Sequence, residues 1–243
     1  MFPYDATLLA AVQTTSETIP DVVRILETIQ ATCADGDGLK WFNGLYLEVT
    51  NAVQGRVASG GFSNPTWMAA LDVRFARFYF DAIRTSLSGG AQGTTPGCWQ
   101  AVFDQRNQTA IARIQFAMAG MNAHINHDLP QAVLAICQTT AVSPRHATPQ
   151  YNDFTAVNAT LDTLIDTAKK ELHVRLLGDE LPPASRLEDT LAAWSMVAAR
   201  EAAWNNAELL WHLADAPPIS SAFLDTLDGL TALAGKTALV PVP

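Results

Sequence analysis

The chain has 243 residues, 49% hydrophobic and 16% charged, a composition that buries a substantial core and argues against disorder. Its formal net charge of -9, from 24 acidic and 15 basic residues with no basic cluster, argues against nucleic acid or an anionic membrane as partner. Cys33, Cys98 and Cys137 are too few and too widely spaced for a disulfide framework or a zinc knuckle, which points to a reduced, cytoplasmic setting. The opening MFPYDATLLAAVQ has no basic n-region, and no stretch reaches transmembrane length without polar interruption, so a soluble protein is expected.

Residues 1–17 give no firm assignment. Thr18 with Asp21 resembles a capping box, and Val22, Ile25, Leu26 and Ile29 recur at helical spacing, which predicts a first helix to about Cys33. Asp35-Gly36-Asp37-Gly38 lacks the remaining ligand positions of a calcium loop and reads as a turn. In the next predicted helix, WFNGLYLEVTNAVQ, Glu48 is the sole charged side chain between Lys40 and Arg56, either a solvated glutamate or a member of a site. Asn64 and Pro65 predict the start of a third helix running to about Ser86, whose charges, Arg77 and Asp81 among them, are expected to form surface pairs. SGGAQGTTPG is read as a loop, followed by a short helix from Cys98 to about Arg106.

The stretch QTAIARIQFAMAGMNAHINHDLP predicts a central helix over 108–127, because between Arg113 and Asp128 it carries no Asp, Glu, Lys or Arg. Spacings of three and four put Arg113, Ala117, Gly120, His124 and His127 on one stripe. Ala117 and Gly120 suit either a ligand pocket or a close helix crossing. Gln115, Asn122 and Asn126 form a second, uncharged polar stripe whose buried amides need partners. Each member of the His124, His127, Asp128 group also has a structural reading. Asp128 would N-cap a helix beginning near Pro130 and running to about Thr140, His127 would favour the end of its own helix, and His124 would be a core imidazole.

His146 lies in a predicted loop, SPRHATPQ, and is expected to be exposed. A long helix is predicted over 150–177 and another over about 186–214, where Glu201 and Glu208 share a face with Trp194, Trp204 and Trp211. These acids either serve a site or pair with Arg200 or another arginine. A last helix is expected near Ser220 to Ala234. No alternating strand pattern of useful length occurs, so the expected fold is all-α: one domain over 1–243, a bundle of about seven or eight helices around the central one.

The segments AMAGMNAHINHDLPQAV, WFNGLYLEVTNAV and AREAAWNNAELLW resemble a family of bacterial proteins catalogued as a domain of unknown function. The resemblance spans most of the chain, implies a single helical domain and transfers no mechanism. Better-known helical metalloenzymes are similar only in part. His127-Asp128 is the dipeptide of helical metal-dependent phosphohydrolases, but no histidine precedes His124. His124 and Asp128 have the H-x-x-x-D spacing of zinc phospholipase C without its further histidines, and Glu208 with His212 departs from the E-x-x-H of di-iron bundles.

Three readings follow. The first is a small-molecule enzyme in which His124 and His127 transfer protons on a largely apolar substrate, since histidine titrates near neutrality and a carboxylate, Glu48 or Glu201, can fix its tautomer. Trp204, Asn122, Asn126 and Arg113 would bind the substrate, and the reaction would be an isomerisation, a cyclisation or a hydrolysis. The second is a divalent-metal-dependent hydrolase or oxidase with His124, His127, Asp128 and Glu208 as ligands. The third is a non-catalytic small-molecule binding or interaction protein with a tryptophan-lined apolar cavity.

Overall fold

Regular structure is entirely helical among the residues that the computed structural model describes, 2–91, 93–161 and 195–241. The elements are α1 Asp5–Val12, α2 Ile19–Thr32, α3 Leu39–Ala58, α4 Pro65–Leu87, α5 Gly97–Gln105, α6 Arg113–Ala123, a π-helical turn His124–Asp128, α7 Leu129–Thr140, α8 Pro149–Ala156, α9 Met196–His212 and α10 Pro217–Ala238. The all-α expectation holds. No helix among these residues is long and apolar enough to cross a membrane.

Local chemistry starts the helices where the sequence places caps. Thr18 Oγ1 accepts the Asp21 amide at 3.3 Å while the Asp21 carboxylate accepts the Thr18 amide at 3.1 Å, a reciprocal box that opens α2. Asn64 Oδ1 accepts the Trp67 amide at 3.1 Å to open α4. Asp153 of α8 reinforces that entry by accepting the Ser63 and Asn64 amides at 2.8 and 2.6 Å.

Several boundaries differ from expectation. α1 forms where no assignment was made. The helix expected over 150–177 is interrupted: α8 ends at Ala156, helical hydrogen bonding resumes for 158–161, and 162–177 lies outside the described residues. Of the helix expected over about 186–214, residues 186–194, Trp194 among them, lie outside the described residues; within the described residues α9 begins at Met196, where the Ser195 hydroxyl accepts the Ala198 amide at 3.2 Å. The last helix is longer than expected at both ends. Asp81 pairs with Arg84 rather than Arg77, whose guanidinium bonds the Ser16 carbonyl, and Asp72 is buried instead of standing on the surface.

The central helix begins at Arg113 rather than 108 and does not stop at 127. Helical structure is continuous from 113 to 140, with the π-turn inside it. Pro130 supplies the reason. It has no N–H, and its ring would crowd the carbonyl of Asn126, four residues back. Widening the turn lets the chain pass: the Leu129 N–H bonds the His124 carbonyl, five residues back. Asp128 consequently has helical backbone angles, φ -82 and ψ -38, and its side chain makes no cap hydrogen bond, which overturns the N-cap expectation.

α6 crosses α3 at Gly120, where an added Cβ would overlap the Phe42 ring, so this residue serves a close helix crossing. The second polar stripe faces α10. Gln115 Nε2 donates to the Ala238 and Val240 carbonyls at 2.7 and 2.8 Å, Asn122 Nδ2 to the Thr231 carbonyl at 2.8 Å, and Asn126 Nδ2 to Asn122 Oδ1 at 3.0 Å. α4, α9 and α10 also border the π-turn, which thereby lies at the meeting point of the helices.

Candidate functional site

The π-turn gathers two histidines around one carboxylate. Asp128 Oδ2 accepts His124 Nδ1 at 2.9 Å and Trp99 Nε1 at 2.9 Å, while Oδ1 accepts His127 Nδ1 at 2.7 Å. Asp128 is 1% exposed. Burial is the largest influence on its carboxyl and pushes the pKa up, but the hydrogen bonds and charges of the two histidines outweigh it, so the net shift is downward and the group is ionised. An ionised carboxylate only accepts, so both rings present Nδ1–H to it and keep Nε2 for other work.

The two rings differ in charge preference. For His124, burial dominates and lowers the pKa below its usual value, so the ring is neutral at neutral pH. For His127, burial also acts downward, but the hydrogen bond and charge of Asp128 prevail and raise it. One carboxylate thus holds a neutral imidazole on one oxygen and a readily protonated one on the other.

His124 stands in an aromatic enclosure. Phe75 stacks on it at 3.5 Å between centroids and 7° between planes, and Tyr46 meets it edge-on at 4.6 Å. Its Nε2 is buried with no hydrogen-bond partner among the described residues. An unpaired buried acceptor costs about 1–3 kcal/mol, which a functional site can justify. His124 lines a cavity of ≈ 410 Å³, open mouth included, with Phe42, Leu45, Tyr46, Phe75, Met121 and Arg200 among its walls. Tyr46, Phe75 and Arg200 also border an adjoining space of ≈ 400 Å³ walled by Asp72.

Those walls are apolar apart from a few polar groups. The Tyr46 hydroxyl is buried without a hydrogen-bond partner among the described residues, and burial, with the Asp72 charge acting the same way, holds its pKa well above the usual phenol range. It is therefore a donor. Asp72 Oδ2 is likewise buried and unpartnered, and burial pushes its carboxyl up to about 7. Arg200 is 7% exposed, donates to Asn158 Oδ1 and the Phe154 carbonyl, both at 2.7 Å, and has its pKa lowered by burial to about 10.

The other residues singled out by sequence lie elsewhere. Glu48 is exposed on α3. Glu201 accepts from the Tyr151 hydroxyl at 2.8 Å and lies 2.9 Å from His146 Nε2; Glu208 lies 3.4 Å from His146 Nδ1. The carboxylate that orients the histidines is thus Asp128, and the acids of α9 share the loop histidine, which is 41% exposed, rather than Arg200. Trp204 is fully buried among Trp67, Tyr151 and Phe154. Arg113 stacks over Trp41 at 4.5 Å, and Asn122 and Asn126 pin α10.

Sequence reasoning missed Tyr46, Asp72, Phe75 and Trp99. Tyr46 shares the buried stripe of α3 with Phe42, and Asp72 is an acid inside the apolar run of α4, signals that mark burial without marking a site. As for metal ligands, among the described residues the His, Cys, Asp and Glu side chains that converge on a common point are Cys98, His127 and Asp228, not the set that included Glu208.

Fold and site together define an all-α protein with a buried His–Asp–His cluster in a π-turn and an apolar cavity beside it. The chain belongs to a family of unknown function, DUF5995, whose model matches residues 19–241. No curated protein and no solved structure matches it.

Proposed function

We propose that the protein is a small-molecule enzyme performing acid–base chemistry on a largely apolar substrate, with His124 Nε2 as the proton carrier. One observation carries this reading: a neutral imidazole that lines an apolar cavity has its Nδ1 fixed by Asp128 and its Nε2 buried without a hydrogen-bond partner among the described residues. In that setting Nε2 takes a proton from a carbon acid or a bound water and returns it later in the cycle. Tyr46 supplies a hydrogen-bond donor for the oxygen on which charge develops, and Arg200 supplies positive charge on the same wall. Isomerisation, cyclisation and hydrolysis all use such a transfer.

Deuterium wash-in tests it whatever the product is. The protein is incubated in D2O with a panel of cyclic ketones, enones and aryl esters, and exchange or turnover is followed by mass spectrometry. At least one compound should exchange or react above the solvent background, and His124→Gln should lose about 10²–10⁴-fold of that rate while its circular dichroism stays helical. A folded His124→Gln protein that keeps the rate, or a wild-type protein inert towards the whole panel, would count against the reading.

A further inference from the structure

We propose that Cys98, His127 and Asp228 bind a thiophilic divalent cation, zinc being the ion this ligand set suits best. The three residues come from separate elements: Cys98 from the first turn of α5, His127 from the π-turn and Asp228 from α10. Their ligand atoms lie within 4.8 Å of one another. Bond lengths of about 2.0–2.3 Å from a central zinc to N, O and S place ligand atoms within that span.

Asp228 and His127 are already oriented by other groups and retain coordinating capacity. Asp228 holds the start of α5, with Oδ2 accepting the Gly97 amide at 2.7 Å and Oδ1 the Cys98 amide at 2.9 Å. A carboxylate has about four lone-pair directions, so two remain. His127 gives Nδ1 to Asp128 at 2.7 Å, which leaves Nε2 and reproduces the carboxylate–imidazole–metal relay that fixes ring orientation at metal sites. The Gln131 amide donates to the His127 carbonyl at 2.9 Å, and its nitrogen also lies 3.3 Å from His127 Nε2 and 3.4 Å from Nδ1, so a metal on Nε2 would displace a long hydrogen bond from Gln131. Cys98 is fully buried.

Ligand chemistry selects the ion. A thiolate and an imidazole disfavour magnesium and calcium, which take oxygen ligands, and favour zinc and its neighbours. One thiolate and one carboxylate neutralise a divalent charge in this buried place. On binding, the S–H proton of Cys98 leaves to solvent and the sulfur lone pair makes the metal bond. Three protein ligands leave a fourth position for water or substrate, the pattern of catalytic rather than structural zinc. This proposal is independent of the role given to His124, since it uses the other ring and the other oxygen of Asp128.

Cobalt(II) provides the test. The full-length chain, kept reduced and stripped with dipicolinate, is titrated with cobalt(II) and then zinc. One equivalent of cobalt should produce a thiolate-to-metal charge-transfer band in the near ultraviolet and intense visible bands of four-coordination, both removed by zinc. Cys98→Ser should abolish the ultraviolet band, Cys137→Ala should keep it, Asp228→Asn should weaken binding at least about tenfold, and Asp128→Asn should weaken it about 10–100-fold. A folded wild-type protein without the band, a band that survives Cys98→Ser, or a band lost in folded Cys137→Ala would overturn the proposal. Should Cys98→Ser fail to fold, Asp228→Asn decides: unchanged affinity there overturns it too.

Discussion

Asp128 takes three donors where a solvated carboxylate would have water, and its charge sets the tautomers of both histidines. From sequence, Asp128→Asn looks harmless, because Asn caps helices as well as Asp does. With no cap to preserve, the substitution instead removes the charge and turns an NH₂ towards a donor. It should cost about 2–3 kcal/mol in urea unfolding, where a change under about 0.5 kcal/mol would restore the capping view. Asp72 makes the opposite electrostatic statement. Its folded pKa is raised by burial from 3.8 to about 7, so the folded chain holds the proton more tightly than the unfolded one. The stability this adds is complete below the unfolded value and is lost as pH rises through the folded one, at up to about 1.4 kcal/mol per pH unit. Asp72→Asn should remove that slope, and the variant should gain on the wild type between the two pKa values; parallel melting-temperature profiles would refute the assignment.

At the scale of elements, the run from α6 to α7 shows how one proline reshapes a site. Pro130 forces a wider turn, the wider turn shifts register by one residue, and His124 and His127 meet different oxygens of Asp128 instead of stacking one above the other. The expected stripe survives as far as Gly120, whose missing side chain admits Phe42, itself in contact with His124 at 5.6 Å between ring centroids. Gly120→Ala should therefore force α3 and α6 apart and cost about 1–3 kcal/mol, although alanine is the better helix former by about 1 kcal/mol. Thermal unfolding reads the sign: a variant more stable than the wild type would mean that helix propensity outweighs the crossing.

Across the whole molecule, the chain's beginning is tied to its middle by a buried ion network. Arg106, at the end of α5, donates Nε to Asp37 Oδ1 at 2.9 Å, reaches Asp37 Oδ2 with Nη2, and pairs with Asp5 of α1 at 3.0 Å. Tyr4 adds its hydroxyl to Asp37 at 3.1 Å. Arg106→Met would leave two buried carboxylates without their cation and should cost about 3–5 kcal/mol, with α1 losing hydrogen-exchange protection first; a loss below about 1 kcal/mol would show the network to be solvated. In the sequence, Asp35-Gly36-Asp37-Gly38 is legible as a turn and nothing marks Asp37 as buried, since Arg106 stands far along the chain. The same division runs through the protein. Apolar spacing in α2, α3 and α4, caps at Thr18 and Asn64, and the absence of charge between Arg113 and Asp128 determine an all-helical chain with a buried central segment carrying His124 and His127, because those signals are local and act within a turn or two of helix. Which aromatic rings enclose His124, that Trp99 reaches Asp128, and that Cys98 and Asp228 converge on His127 were decided by helix crossings between distant parts of the chain. Such contacts follow from how the faces of separate helices meet, which one helix's periodicity does not encode.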